Sequence, residues 1–388
     1  MTVSVPEGQV YLDNASTSYP KPECVCTAVA QAVREVGLTT GRAKSFCRID
    51  PDKIVLRTRE SIAHLLNIPA PGRVIFTYSA TDGINTALFG LLKEGDEVLI
   101  SPLEHHAVTR ALPYLVKHRG VRFGKLAAYK DGRIIPERIE ESASAATKLI
   151  CISHISNVSG TVQPLMDIGA EAKRLGIPLM LDAAQSAGCH YIDVQAMGVS
   201  ILAAPGHKSL LGLPGTGILY LADGIAPEPF RIGGTGSYSE LYELPQEIPT
   251  FYESGTPNVL GIIALDAAVD FILNTGVAEI GRVAHIKQRQ ILEHLIGMPQ
   301  VEIMGPTDSE LRGCPIAFNV KGHEPSEIGT ILGEKYHIAN RAGLHCAPSA
   351  HEFFGTLEQG GAVRVSPAFL TPDEDVQYFC DVMDEILG

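Results

Sequence analysis

Two short apolar runs each end in a residue that can do chemistry. Asp182 closes Pro178–Asp182, and Lys208 follows Ser200–Ala204 within Pro205-Gly206-His207-Lys208-Ser209. A carboxylate at the buried end of a strand must be paired, and a protonated pyridine nitrogen is one partner that satisfies it. A lysine in apolar surroundings loses part of its proton affinity, which favours Schiff-base chemistry. Other strand ends carry further candidates. Ser79-Ala80-Thr81-Asp82 opens a helix whose free N–H groups could hold a phosphate. His105, in Glu104-His105-His106, could stack on a planar ring, while Asn157 and Gln185 offer amides. Taken singly, each has a plainer reading: a helix cap, a structural histidine, a turn asparagine, a surface lysine. Together they describe pyridoxal phosphate carried on Lys208, with Asp182 at the ring nitrogen and Gln185 near the phenolic oxygen.

These residues need a scaffold that brings strand ends to one edge. The apolar runs Arg73–Tyr78, Glu97–Ser101, Lys148–Ser153, Pro178–Asp182, Ser200–Ala204 and Gly217–Leu221 read as strands. Between the earlier ones lie helical patterns over Asp82–Leu92, Ala107–His118 and Met166–Leu175. That alternation predicts an α/β fold with a mostly parallel central sheet flanked by helices, and ligands bind such sheets at the carboxyl ends of the strands. Residues 71–256 form this large domain, and 222–256 read as a long functional or intersubunit loop. Long helices are expected over 257–299, and a smaller α+β domain over 300–388. Residues 1–25 form an N-terminal segment, and 26–70 hold helices expected to pack near the small domain.

Composition narrows the function classes. The chain has 388 residues, 45% apolar and 19% charged, with a formal charge of −13. An acidic surface argues against nucleic-acid and anionic-membrane partners. No stretch approaches the ~20 apolar residues of a membrane span, and the N-terminus has no secretory pattern. Eight cysteines are too few for a disulfide scaffold, so a reducing, cytoplasmic setting is expected. Cys24 and Cys26 point apart on a helix, no metal site is expected, and seven of the cysteines read as inert packing. Cys346 differs: it sits in a loop beside His345, and a thiol next to a histidine can reach the nucleophilic thiolate form.

Tyr11-Leu12-Asp13-Asn14-Ala15-Ser16-Thr17, Glu104-His105-His106-Ala107, Ser156-Asn157, Asp182-Ala183-Ala184-Gln185, Gly206-His207-Lys208 and Arg341-Ala342-Gly343-Leu344-His345-Cys346 occur in that order. In this the chain resembles the cysteine desulfurase and selenocysteine lyase branch of the class-V aminotransferases, over nearly its whole length. The resemblance implies a fold-type I homodimer that shares its active sites and binds pyridoxal 5′-phosphate. It implies that Lys208 forms the Schiff base, His105 stacks on the ring, and Ala80, Thr81 and His207 hold the phosphate. Thr256 would reach the neighbouring subunit's phosphate. Asn157, Arg341 and Arg364, with Asn14 nearby, would bind the substrate carboxylate. Cys346 would take sulfur from L-cysteine as a persulfide, leave alanine, and pass the sulfur to an acceptor protein.

Two positions depart from the family pattern. Pro205 and Ala80 stand where hydroxyl residues are usual, so phosphate contacts there are missing or replaced. Other reactions open to the same scaffold are selenocysteine lysis, transamination or β-elimination on another amino acid. A non-catalytic sulfur relay is also open.

Overall fold

The computed structural model describes residues 6, 8–35, 40, 50–238 and 240–388. Cys47 lies outside the described residues. Along the chain come β1 (Val10–Tyr11), α1 (Glu23–Glu35), α2 (Pro51–Leu66), β2 (Val74–Thr77), α3 (Ala80–Leu91), β3 (Glu97–Ile100), α4 (His106–Thr109), α5 (Ala111–Arg119), β4 (Arg122–Lys125), α6 (Ile139–Ser142), β5 (Thr147–Ser153), α7 (Leu165–Leu175), β6 (Leu179–Asp182), β7 (Val199–Pro205) and β8 (Gly217–Leu221). Then follow α8 (Val259–Thr275), α9 (Val277–Ile296), β9 (Val301–Ile303), β10 (Ile316–Val320), α10 (Pro325–Thr330), β11 (Ile338–Ala339), β12 (Arg341–Gly343), α11 (Pro348–Phe354), β13 (Ala362–Val365) and α12 (Asp373–Leu387).

Seven strands form the main sheet in the order β2-β8-β7-β6-β5-β3-β4. Five of them, β3 to β7, run parallel, and β8 is antiparallel to both its neighbours. β6 is buried along its whole length and β5 almost so, as strands covered by helices on both faces must be. Register sets Ser153 opposite Asp182, and Asp182 opposite Ala203, so β5, β6 and β7 end at one edge. Each crossover helix is punctuated locally. Ser79 Oγ accepts the Asp82 N–H at 3.1 Å to start α3, and Gly176 at φ +69° stops α7, where a side chain would be strained.

The smaller sheet, β12-β13-β10-β9, is antiparallel throughout. Its core includes Phe318 and Phe379, both without solvent exposure, each contributing roughly 1.5–3 kcal/mol by burial. β1 pairs in parallel with β11, Val10 opposite Ile338, and Asp13 bridges to Ser366. The N-terminal strand thereby ties the start of the chain to the small sheet and leads straight to the edge where the large sheet ends.

Two expectations need correction, and two further elements were not anticipated. Helices α1 and α2 pack on α8, not beside the small domain. Their Val25, Ile62 and Leu66 join the main core with Ile262, Leu265 and Val269 of α8. A helix that is apolar nearly all round needs covering on every side. The strand β4 had no sequence signal, because Arg122, Phe123 and Lys125 are exposed on an edge. The helix expected over Ala107–His118 is broken at Arg110 into α4 and α5. The loop after Cys346 contains α11, started by Pro348 in its first turn. Among the described residues no single helix is long and apolar enough to cross a membrane.

Candidate active site

A cavity of about 220 Å³ opens at the edge where β5, β6 and β7 end. Its walls include Ser79, Ala80, Thr81, His105, Asn157, Asp182, Gln185, Pro205, His207, Lys208, Arg341 and Arg364. Asp182 closes β6 and is 5% exposed. It accepts the Ala184 N–H at 2.9 Å, and burial pushes its carboxyl up from the ordinary value while the Lys208 charge opposes that shift. Lys208 follows β7 by three residues. Burial pushes its amine down to about 8, Asp182 opposes this, and Arg364 and Arg341 add to it. The two groups therefore face each other as a weakened acid and a weakened base.

His105 is the N-cap of α4. Its Nδ1 accepts the Ala107 N–H at 3.0 Å, so the proton of the neutral ring sits on Nε2. Burial, then the nearby Lys208 charge, hold it neutral, down to about 3. Below it the fully buried Glu104 braces the strand ends. It accepts from the Ser101 hydroxyl, from Ser153 N–H at 2.8 Å and from Ser153 Oγ at 2.9 Å. Burial raises that carboxyl to about 7. His207 is tied through Nδ1 to Thr17 Oγ1 at 3.0 Å. Its carbonyl accepts from Lys21 Nζ at 2.9 Å, so the N-terminal segment clamps the peptide just before Lys208.

The two arginines differ. Arg364, on β13, is 1% exposed, and its fork is largely engaged. Nη2 donates to Asp13 at 2.6 Å and to Ser16 Oγ at 2.9 Å, and Nη1 donates to the Asn157 carbonyl at 2.9 Å. Its Nε is buried with no partner, an orphaned donor, in a residue that lines the cavity, that an anion would satisfy. Arg341, on β12, donates Nη1 to Ser16 Oγ at 3.3 Å and Nη2 to Cys346 Sγ at 3.4 Å. Cys346 is exposed and lies in a groove that shares Thr81, His105 and Ala107 with the cavity. Its φ is +55° and that of His345 is +51°.

A model of the class-V aminotransferases matches residues 10–379. The chain belongs to the class-V aminotransferases. Among its relatives are probable cysteine desulfurases from Methanothermobacter thermautotrophicus, 32% identical over 98% of this chain and 95% of the relative, and from Halalkalibacterium halodurans, 34% identical over 95% and 90%. The cysteine desulfurase of Thermococcus onnurineus, solved in its apo form, superposes with a TM-score of 0.91 at 27% identity, covering 100% of this chain and 96% of that one.

Class-V aminotransferases are pyridoxal-phosphate proteins, and the residues present here fit that group. Asp182 is a buried carboxyl that a cation would satisfy, Lys208 is a buried amine of lowered basicity, and α3 turns its N-terminus to the cavity. Pro205 lines the same wall without a hydroxyl or N–H, whereas the Thr81 side chain lines it with one.

Three sequence expectations are altered by the structure. Asn14 does not line this cavity. Its amide donates to the Ser366 carbonyl at 3.0 Å and accepts the Tyr19 N–H at 3.1 Å, so both ends are spent on the fold. His345 does not face the Cys346 sulfur, because its ring turns inward and meets the Arg341 carbonyl at 3.1 Å. The group beside the sulfur is Arg341. Arg364 does not offer a free fork, since Asp13 and Ser16 hold it. Asn157 and Gln185 line the cavity, but each already donates one amide N–H, to the His345 carbonyl at 2.7 Å and the Ala15 carbonyl at 2.9 Å. Thr256 is exposed and outside the cavity of its own chain. Sequence reasoning missed Asp13, Ser16, Thr17 and Glu104 as supports. The signal for three of them was the Tyr11–Thr17 motif, whose polar residues reach His207 after β7 and Arg364 on β13 across the chain.

Proposed function

We propose that the chain is a pyridoxal-phosphate cysteine desulfurase that removes sulfur from L-cysteine and carries it on Cys346. The observation that carries this reading is the exposed Cys346 thiol, beside Arg341, in the groove that shares Thr81, His105 and Ala107 with the cavity holding Lys208 and Asp182. Relatives matching almost the whole chain bear the cysteine desulfurase name.

Lys208 would hold the cofactor. Asp182 would pair with its ring nitrogen, His105 would lie on its face, and Gln185 would meet its phenolic oxygen. Thr81, the α3 N–H groups at Ala80 and His207 would receive its phosphate. Once bound, pyridoxal phosphate supplies an aldehyde that holds the substrate amine and a ring that takes up the electron pair released at Cα. Arg364 Nε, Arg341 and the free amide N–H of Asn157 orient the substrate carboxylate. The Lys208 amine, neutral enough to act as a base, takes the α-proton. Cys346 Sγ then attacks the substrate sulfur. An S–S bond forms as the C–S bond breaks, and the electron pair of that bond stays with carbon, which takes a proton on the way to alanine. The exposure of Thr256 supports a homodimer in which it reaches the second copy's cavity. Incubation with L-cysteine and a reductant should yield alanine and sulfide in equal amounts. Pyruvate and ammonia in place of alanine would point to a β-lyase.

The lowered basicity of Lys208 sets a pH dependence. Only the neutral amine would be able to join the cofactor aldehyde, and its fraction rises steeply with pH up to about 8. Uptake of pyridoxal phosphate by apo-protein should therefore rise about tenfold per pH unit below that point and level off above it. A rise continuing past pH 10, followed by visible absorbance, would mean an ordinary exposed lysine.

A further inference from the structure

Behind Cys346 lies a chain of buried polar groups that the reaction does not touch. His345 Nε2 meets the Arg341 carbonyl at 3.1 Å, His345 Nδ1 meets His351 Nε2 at 3.2 Å, and His351 Nδ1 meets Thr356 Oγ1 at 2.8 Å. All three side chains are buried, His345 at 2%, His351 at 0% and Thr356 at 6% exposure. The direction of every bond follows from its first member. A carbonyl only accepts, so His345 Nε2 carries the hydrogen and, in a neutral ring, Nδ1 is a bare acceptor. His351 Nε2 must then donate, its Nδ1 must accept, and the Thr356 hydroxyl supplies the last hydrogen. Burial keeps both rings neutral, pushing His345 to about 2 and His351 to about 4. Four residues are thus locked into one pattern with no donor or acceptor wasted.

The anchored end of this chain is the nucleophile's loop. His345 and Cys346 both hold left-handed backbone, at φ +51° and +55°, a conformation costing about 1–2 kcal/mol for each non-glycine residue unless neighbours impose it. The His345 ring is fixed from inside, and its carbonyl accepts from Asn157 Nδ2 at 2.7 Å. The Cys346 carbonyl accepts the His106 N–H at 2.7 Å. Arg341 serves both ends, since its carbonyl anchors the relay and its guanidinium meets the Cys346 sulfur. His351 lines neither the cavity nor the groove.

We infer that His351 is a positioning residue: the Thr356–His351–His345–Arg341 relay holds Cys346 in the backbone conformation that presents its sulfur for transfer. The inference rests on Cys346 being the sulfur acceptor. His351→Phe keeps a planar ring, somewhat larger than imidazole, but leaves His345 Nδ1 buried and unpaired, which frees the loop to turn. A sulfur displaced by an ångström should slow single-turnover persulfide formation about 100-fold. The KM for L-cysteine and the bound-cofactor spectrum should not change. His351→Gln restores a donor toward His345 and should recover most of the rate. Thr356→Val, which unlocks the outer end only, should cost about tenfold, and it decides the matter alone should His351→Phe not fold. Wild-type rates in His351→Phe or Thr356→Val would overturn the relay, as would a loss seen in KM, or one that His351→Gln fails to restore. Cys346→Ser, run alongside, separates the two claims. If it still desulfurates at the wild-type rate, the acceptor reading fails; if it is inactive while His351→Phe is unimpaired, only the relay does.

Discussion

Lys208→Ala is expected to abolish turnover of L-cysteine and the visible absorbance of lysine-bound cofactor together. On the proposed function the side chain would have two duties at one atom: it would be the amine that meets the cofactor aldehyde, and it would be the base that takes the α-proton, its basicity lowered by burial against the opposing charge of Asp182. Loss of a positioned general base alone lowers a rate by about 10²–10⁴-fold, or roughly 3–5 kcal/mol of barrier. Added alkylamine should restore part of the proton transfer, because the vacated space lies in an open-mouthed cavity. A melting temperature taken beside the assay separates this from misfolding. Retention of more than a tenth of the wild-type rate would remove Lys208 from the chemistry.

Cys346→Ala is expected to leave cofactor binding and substrate binding intact and to cut alanine formation from L-cysteine by at least about 10³-fold, as the removal of other nucleophiles does. The side chain is exposed, so the fold should be indifferent to its loss, within about 0.5 kcal/mol. Arg341 would remain beside the vacancy with its contact to Ser16. The loss should be smaller with L-selenocysteine, whose selenol ionises more readily and depends less on a protein nucleophile. Equal losses on both substrates would mean that Cys346 supports the site by some other route.

Much of the site was legible because a parallel sheet puts chemistry at strand ends. Asp182 and Lys208 could be paired from the ends of two apolar runs before any contact was known, and register sets β6 and β7 level. What sequence could not convey was the direction of side chains. His345 and Cys346 are neighbours, which suggested an imidazole beside a thiol. Two successive left-handed residues send the ring inward and the sulfur toward Arg341. Arg364 looked like a free carboxylate fork because Asp13 lies at the other end of the chain, and the β1–β11 pairing, continued by the Asp13–Ser366 bridge, brings it near. The helices expected within 26–70 carried nothing in sequence that named α8 as their partner. The polar edge strand β4 left no alternation to read.

The central claim is that Cys346 receives sulfur from L-cysteine. Brief mixing of the cofactor-loaded protein with L-cysteine in the absence of reductant, then quenching and peptide mass spectrometry, reads it directly. The account predicts one added sulfur atom on the peptide holding Cys346, removable by a thiol reductant, and no addition on the peptides holding the other cysteines. Alanine produced with Cys346 unmodified, or sulfur appearing on a different cysteine, would contradict it.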